Sequence, residues 1–207
     1  MPNFNYENPT NIHGGGMQTG EERLFSLVLD ALAYDGYQNM TLEEILSRGA
    51  DPEAVGRYES WEALCERALT DAAERVTLAY ESATEGARAY LSADGSSRDE
   101  GLKQLERLIY RHIYLCFHPK NRSYVLVAAG ESQLPQHLQR ILPDVLHRQF
   151  GSVLGELITA VSEVKNAQMS AMMACSICGA VNIFVQQPIY CRNLFVGDTR
   201  EKPNYAV

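Results

Sequence analysis

Residues 41–64 carry a dense series of helix start and stop signals, and these constrain the fold more than any other part of the chain. Thr41 is suited to cap a helix, and Glu44 three residues later completes a capping-box pattern. Gly49 follows where that helix should end, because glycine adopts the left-handed backbone conformation without steric cost. The first half of the stretch therefore predicts a short helix closed by a tight glycine turn.

The second half of the same stretch predicts two further helix starts. Asp51 is suited to cap a helix whose first position is Pro52, where no backbone N–H is needed. Ser60 is suited to cap a long helix, with an acidic residue in its positive first turn. A helix, a tight turn and a second helix, followed by a long third one, are typical of a helix-turn-helix unit.

Apolar residues recur at helical spacing through most of the remaining chain, which predicts an all-α fold. Residues 123–129 have strand propensity, but we interpret them as helical because a lone strand would have no pairing partner. Residues 1–20 are rich in Asn and Gly and are predicted to be a disordered arm. Helices are predicted at residues 21–35, 41–48, 51–58, 60–82, 99–117, 123–129, 136–142, 143–164 and 167–185.

The first third of the chain resembles the N-terminal domain of the TetR family of bacterial transcriptional regulators. The resemblance rests on Gly36-Tyr37, Thr41, Ile45, Gly49, Tyr58 and the run Ser60-Trp61-Glu62-Ala63-Leu64. It implies a three-helix helix-turn-helix domain over residues 21–63, with helix four starting at residue 60. It also implies a larger helical domain over residues 64–207 for effector binding and dimerisation, and a ligand-responsive repressor function.

The sequence departs from the family pattern where DNA would be contacted. A phosphate-binding Tyr on the recognition helix and a Lys at the start of helix four correspond here to Gly56 and Trp61. Residues 1–63 hold three basic and eleven acidic side chains, whereas residues 64–207 hold fifteen of each. Because DNA affinity depends on Lys and Arg neutralising phosphates, this charge predicts weakened DNA binding unless the acidic side chains face away.

Two classes of function follow from these observations. As a regulator, the chain is expected to contact operator DNA through Thr41, Arg48, Arg57 and Tyr58. As an alternative, it is a non-DNA-binding dimeric protein that keeps the fold and either sequesters a ligand or binds a basic partner, with Trp61 as an anchor. Binding to random DNA at low salt distinguishes the two.

The C-terminal helices are predicted to supply an effector pocket and a dimer interface. The resemblance implies a homodimer through residues 143–164 and 167–185, which carry more apolar surface than one chain can bury. A small apolar effector is expected among aromatic, His and Met side chains. The candidate effector-binding residues are Tyr110, Tyr114, His118, Tyr124, Met169, Met172, Met173 and Phe184.

Other chemistry finds little support in the sequence. Cys175 and Cys178 form a C-x-x-C pair, but no second pair or nearby His set completes a zinc site, so a redox or metal role stays open. We expect no catalytic site, no cofactor and no metal. No apolar leader opens the chain, and the apolar stretch at residues 169–185 is short for a membrane span, so a cytoplasmic location and a buried helix are predicted.

Overall fold

A computed structural model describes residues 20–93, 97–130, 133–142, 150–162 and 166–186. Every regular element within these ranges is helical, as predicted for an all-α chain. The helices are α1 (Gly20–Tyr34), α2 (Leu42–Ser47), α3 (Pro52–Val55), α4 (Trp61–Ser92), α5 (Arg98–Phe117), α6 (Pro119–Ala129), α7 (Gln136–Gln139), α8 (Ser152–Val161) and α9 (Ala167–Gln186), with a short 3-10 helix at Tyr37–Asn39. The predicted arm up to residue 19 and the helix start at residue 143 lie outside the described residues.

The predicted caps around α2, α3 and α4 are confirmed. The Thr41 hydroxyl accepts a hydrogen bond from the backbone N–H of Glu44 at 3.2 Å, and Ser60 accepts one from the N–H of Ala63 at 3.1 Å. Asp51 immediately precedes α3, and its carboxylate caps that helix. Gly49 has a φ of 87°, the left-handed conformation that ends α2. Local sequence signals therefore determine the path of the chain from residue 41 to residue 64.

Four predicted helix ends differ from the structure by three residues or more, including that of α8, which ends at Val161 rather than at residue 164. α4 runs to Ser92 rather than to residue 82, because Thr84 and Ala87 continue the buried face begun by Tyr80. α3 ends at Val55 instead of reaching residue 58. A turn follows, in which the N–H of Tyr58 donates a hydrogen bond to the carbonyl of Val55, three residues back. α7 ends at Gln139 rather than at residue 142. The segment proposed as a recognition helix is thus a single helical turn.

The long helix α4 organises the packing of the described chain. It contacts α1, α5, α6, α7 and α8, while α8 and α9 pack against each other as a pair. α1 packs against α6 as well as against α2 and α3. One continuous apolar core extends from Leu24 in α1 to Cys178 in α9, so the N-terminal helices are fixed against the rest of the described chain.

Most of α9 remains uncovered in the single chain, contrary to the prediction of a buried helix. The most apolar 18-residue segment of α9 has a mean hydropathy of 1.5, and only 28% of that segment is buried. Within the described residues, α9 is the helix with the length and composition of a membrane span, but the core helix of a soluble protein passes the same test, so this is weak evidence for a membrane span. Met169, Met172, Met173 and Ile183 lie on its exposed side.

Candidate functional site

Arg48, one of the two predicted DNA-contacting arginines, already has an anionic partner. Its Nη1 lies 2.7 Å from Oδ2 of Asp35, and its Nη2 lies 3.4 Å from the sulfur of Met40. The hydrogen bond from Arg48 holds the pKa of the Asp35 carboxyl below its usual value. Arg48 therefore bridges the end of α1 and the end of α2, and DNA would have to compete with Asp35 for its charge.

The other predicted DNA contacts have unequal freedom to reach a phosphate. The Tyr58 hydroxyl donates to a carboxylate oxygen of Glu21 at 2.9 Å, and burial, followed by this carboxylate, raises the pKa of Tyr58. Thr41 is engaged in capping α2. Arg57 is exposed and forms no ion pair with a described residue. Of the four predicted contacts, Arg57 is thus the most accessible cation.

Trp61, the predicted partner anchor, is half-buried and packs against Tyr37. Its ring stacks on Tyr37 with centroids 6.3 Å apart and an interplanar angle of 29°. Its indole N–H donates to the backbone carbonyl of Tyr37 at 3.2 Å. The next residue, Glu62, lies 2.7 Å from Nε2 of His137 in α7. These contacts attach the start of α4 to both the α1–α2 connection and α7.

The predicted effector-binding residues are spread over different environments. Tyr124 is fully buried, with burial raising its pKa to about 12, and its hydroxyl donates to the carbonyl of Leu142 at 3.4 Å. His118 is half-buried and caps α6 by accepting from the N–H of Lys120. The remaining candidates are exposed or half-buried: Tyr110, Tyr114, Met169, Met172, Met173 and Phe184. Among these eight residues, Tyr114 and His118 are in ring contact, with their centroids 5.6 Å apart.

A buried polar cluster in the bundle was not predicted from the sequence. The Tyr80 hydroxyl lies 2.7 Å from Nδ1 of His112 and 3.8 Å from the Cys116 sulfur. The His112 ring stacks on Phe150 at 4.3 Å. Burial lowers the pKa of His112 to about 4 and raises the pKa of Cys116 to about 11, so both groups are neutral near pH 7. The i, i+4 spacing of His112 and Cys116 was visible in the sequence, but their partner Tyr80 lies on another helix.

A cavity of about 300 Å³ lies between α1, α6 and the end of α9. Sequence reasoning missed it because its walls come from segments more than 150 residues apart, with no shared motif. None of the eight predicted effector residues lines it. The lining residues are Leu32, Ala33, Tyr37, Leu126, Val127, Ala129, Gly130, Gln133, Leu134 and Gln186.

The C-x-x-C pair is split between two environments. Cys175 is exposed, whereas Cys178 is buried and burial raises its pKa to about 11. Among the described residues, no three His, Cys, Asp or Glu side chains are grouped so that they could hold a metal ion. Cys178 is therefore predominantly a thiol at neutral pH, with low nucleophilic reactivity.

No family model matches this chain, and a search of curated proteins found no match.

Proposed function

We propose that this protein is a homodimeric transcriptional regulator built like the TetR family, with a weakened general affinity for DNA. The observation that carries the proposal is the arrangement of α2 and α3. These two short, capped helices are joined through Gly49, both pack against α1, and the long capped α4 follows directly. This supports a helix-turn-helix unit over residues 21–63 that precedes a larger helical unit.

The exposed side of α9 supports the homodimer. Met169, Met172, Met173 and Ile183 recur at helical spacing along one side of the helix and are 43–64% exposed. A stripe of this length and apolarity is costly to leave in water. A second copy offers a matching stripe, and two-fold symmetry is the commonest way to close such an interface. The three methionines are thus better placed for a subunit contact than for an effector pocket within one chain.

Charge accessibility supports weak rather than strong DNA binding. Arg57 is the accessible cation near α3, and Arg48 shares its charge with Asp35. A dimer that neutralises two phosphates through Arg57 has a salt slope of about −2, against about −10 for a strong repressor. Sequence-specific contacts and backbone N–H groups must then supply much of the affinity for an operator.

Salt-dependent binding to DNA tests this proposal. We expect fluorescence anisotropy with a labelled random-sequence duplex to show binding at low salt that weakens with a slope between about −2 and −4 as salt rises. Arg57→Ala should lower this affinity for every duplex tested. Arg107→Ala, which removes the same charge from an exposed position on α5, is the matched control and should bind like the parent protein.

A second candidate function is a dimeric interaction or ligand-sequestering protein that keeps this fold without binding DNA. The Arg48–Asp35 ion pair favours this second candidate, because it leaves Arg48 less available to a phosphate in a segment that carries eleven acidic side chains. Absence of DNA binding even at low salt supports this candidate and ends the regulator proposal. In both cases we propose a cytoplasmic protein without catalytic activity.

A further inference from the structure

A row of large apolar side chains lies on the water-facing side of α5, in the last two turns of the helix. These side chains are 36–53% exposed, and they recur three or four positions apart, so they share one side of the helix. They are Tyr110, Ile113, Tyr114 and Phe117. A continuous row of exposed apolar side chains is typical of an interaction surface, whereas single ones are common on any protein.

The same part of the chain is basic. Residues 108–130 contain no Asp or Glu, and the Lys and Arg side chains among them are all exposed. One is on α5 beside the tyrosines, and two are in the first turn of α6: Arg111, Lys120 and Arg122. We call these three cations and the four apolar side chains of the row the α5–α6 surface. Tyrosine and arginine are enriched where proteins bind one another and contribute much of the binding energy there.

Contacts between α5 and α6 hold this surface in shape. The side-chain N–H of Asn121 donates to the carbonyl of Leu115 at 3.1 Å, which ties the first turn of α6 to the last turn of α5. His118 lies between the two helices and caps α6, and its ring contacts that of Tyr114. The surface is therefore formed before any partner binds, which lowers the entropic cost of binding.

The charge of the α5–α6 surface indicates the kind of partner that it fits. In a two-fold contact between two such surfaces, the cations of both copies would meet without an anion, and like charges oppose association. The exposed stripe of α9 differs, because residues 166–186 contain no Asp, Glu, Lys or Arg. A second copy therefore suits α9, whereas an anionic partner suits the α5–α6 surface.

The apolar half of the surface favours a protein over a nucleic acid as this partner. Single-stranded nucleic acids bind by stacking their bases on flat aromatic rings. Ile113 offers no such ring, although it lies between Tyr110 and Phe117 in the row. Aliphatic and aromatic side chains together pack well against the apolar side of another helix, which presents its side chains with the same spacing of three or four residues.

We propose that the α5–α6 surface binds an acidic amphipathic helix of another protein. The apolar side of that helix packs along the row on α5, and its carboxylates pair with Arg111, Lys120 and Arg122. The surface lies outside the helix-turn-helix unit and the exposed stripe of α9, so the inference depends neither on DNA binding nor on the proposed dimer.

The test uses the full chain without DNA and a fluorescein-labelled peptide of three LEELLEE heptads, which forms an acidic amphipathic helix. We expect fluorescence anisotropy to show saturable binding that weakens at least tenfold from about 0.05 M to about 0.5 M salt, because salt screens exposed ion pairs. Arg111→Glu and Tyr114→Ala should each weaken binding at least tenfold at low salt. Both positions are exposed, so both variants should keep the circular dichroism spectrum of the parent protein.

Two matched variants control for charge and for loss of a ring. Arg88→Glu reverses an exposed cation in the second half of α4, and Tyr34→Ala truncates an exposed tyrosine at the end of α1. Neither should alter the affinity for the peptide. A peptide with Ser in place of every Leu keeps all the charges and should bind at least tenfold more weakly, because it has no apolar side.

Three outcomes would overturn the proposal. Parent-like binding by both Arg111→Glu and Tyr114→Ala would place the peptide elsewhere on the chain. Equal binding of the Leu and Ser peptides would show a purely ionic contact without a docked helix. Tighter binding of oligothymidylate than of the Leu peptide, lost in the same two variants, would make the α5–α6 surface a nucleic-acid site. Failure of duplex DNA to bind has no effect on this test.

Discussion

The hydroxyl of Tyr80 and Nδ1 of His112 lie 2.7 Å apart inside the bundle, where both side chains are almost fully shielded from water. Tyr80 belongs to α4 and His112 to α5, so this hydrogen bond joins these two helices within the core. Burial raises the pKa of Tyr80 and lowers that of His112, which keeps both partners neutral. A neutral pair shares one hydrogen bond without placing a charge in the core.

We expect folding stability to depend on the protonation of His112. Its pKa is about 4 in the folded chain and about 6.5 when unfolded, so the unfolded state takes up a proton first as pH falls. The contribution of neutral His112 to the free energy of unfolding is fully present above about pH 6.5 and is lost as pH falls from about 6.5 to about 4. Between pH 7.5 and 4.5 the loss should be about 2–3 kcal/mol of unfolding free energy. Urea unfolding at the two pH values measures it.

The variant His112→Gln isolates this contribution from the titration of carboxylates, because Gln does not ionise. The parent protein should therefore lose about 2–3 kcal/mol more unfolding free energy than His112→Gln when the pH falls from 7.5 to 4.5. Equal pH dependence in both proteins would show that His112 is solvated and titrates normally.

Removing the Tyr80 hydroxyl should destabilise the chain without creating a large cavity. Tyr80→Phe leaves Nδ1 of His112 buried and without its closest partner. An unsatisfied buried polar group costs about 1–3 kcal/mol, so thermal and urea unfolding should shift by that amount. Tyr34→Phe removes the same hydroxyl from an exposed position of α1 and should change stability by less than about 0.5 kcal/mol. Similar effects from both variants would argue against the buried hydrogen bond.

Releasing Arg48 should strengthen general DNA binding if the regulator proposal holds. Asp35→Asn removes the charge that holds Arg48 at 2.7 Å. In a dimer this frees two cations, and the salt slope of DNA binding should steepen by about 2. Asp71→Asn is the matched control, because it removes an exposed aspartate paired with Arg75 within α4. An unchanged slope for Asp35→Asn would place Arg48 away from bound DNA.

Sequence reasoning succeeded where structure is determined over a few residues. The caps of α2, α3 and α4 depend on a side chain and a backbone N–H no more than three positions apart, and Gly49 needs only its own backbone freedom. The end of α4 was predicted too early because the apolar spacing that runs to Tyr80 is continued by Thr84 and Ala87, which are weaker hydrophobic signals. There, burial of Thr84 and Ala87 against other helices determines the length.

The candidate sites were harder to predict because their residues come from different helices. On α5, the buried residues Leu108, His112 and Cys116 recur every four positions. Tyr110 and Tyr114 are offset by two positions from that stripe, which places them on the opposite side of the helix. Counting aromatic residues along α5 therefore grouped side chains that helical geometry separates. Neither the Tyr80–His112 contact nor the cavity has a signature within one segment.

The oligomeric state should depend on the exposed stripe of α9. Met172→Glu places a charge in the middle of the proposed subunit contact, at a side chain that is 64% exposed in the single chain. Leu78→Glu is the matched control on α4, because Leu78 is 65% exposed and lies outside that stripe. Light scattering after size exclusion should give a dimer for the parent protein and for Leu78→Glu, and a monomer for Met172→Glu, since burying an unpaired carboxylate opposes association. A Met172→Glu protein that remains dimeric would place the interface elsewhere, and the apolar side of α9 would then need a different partner.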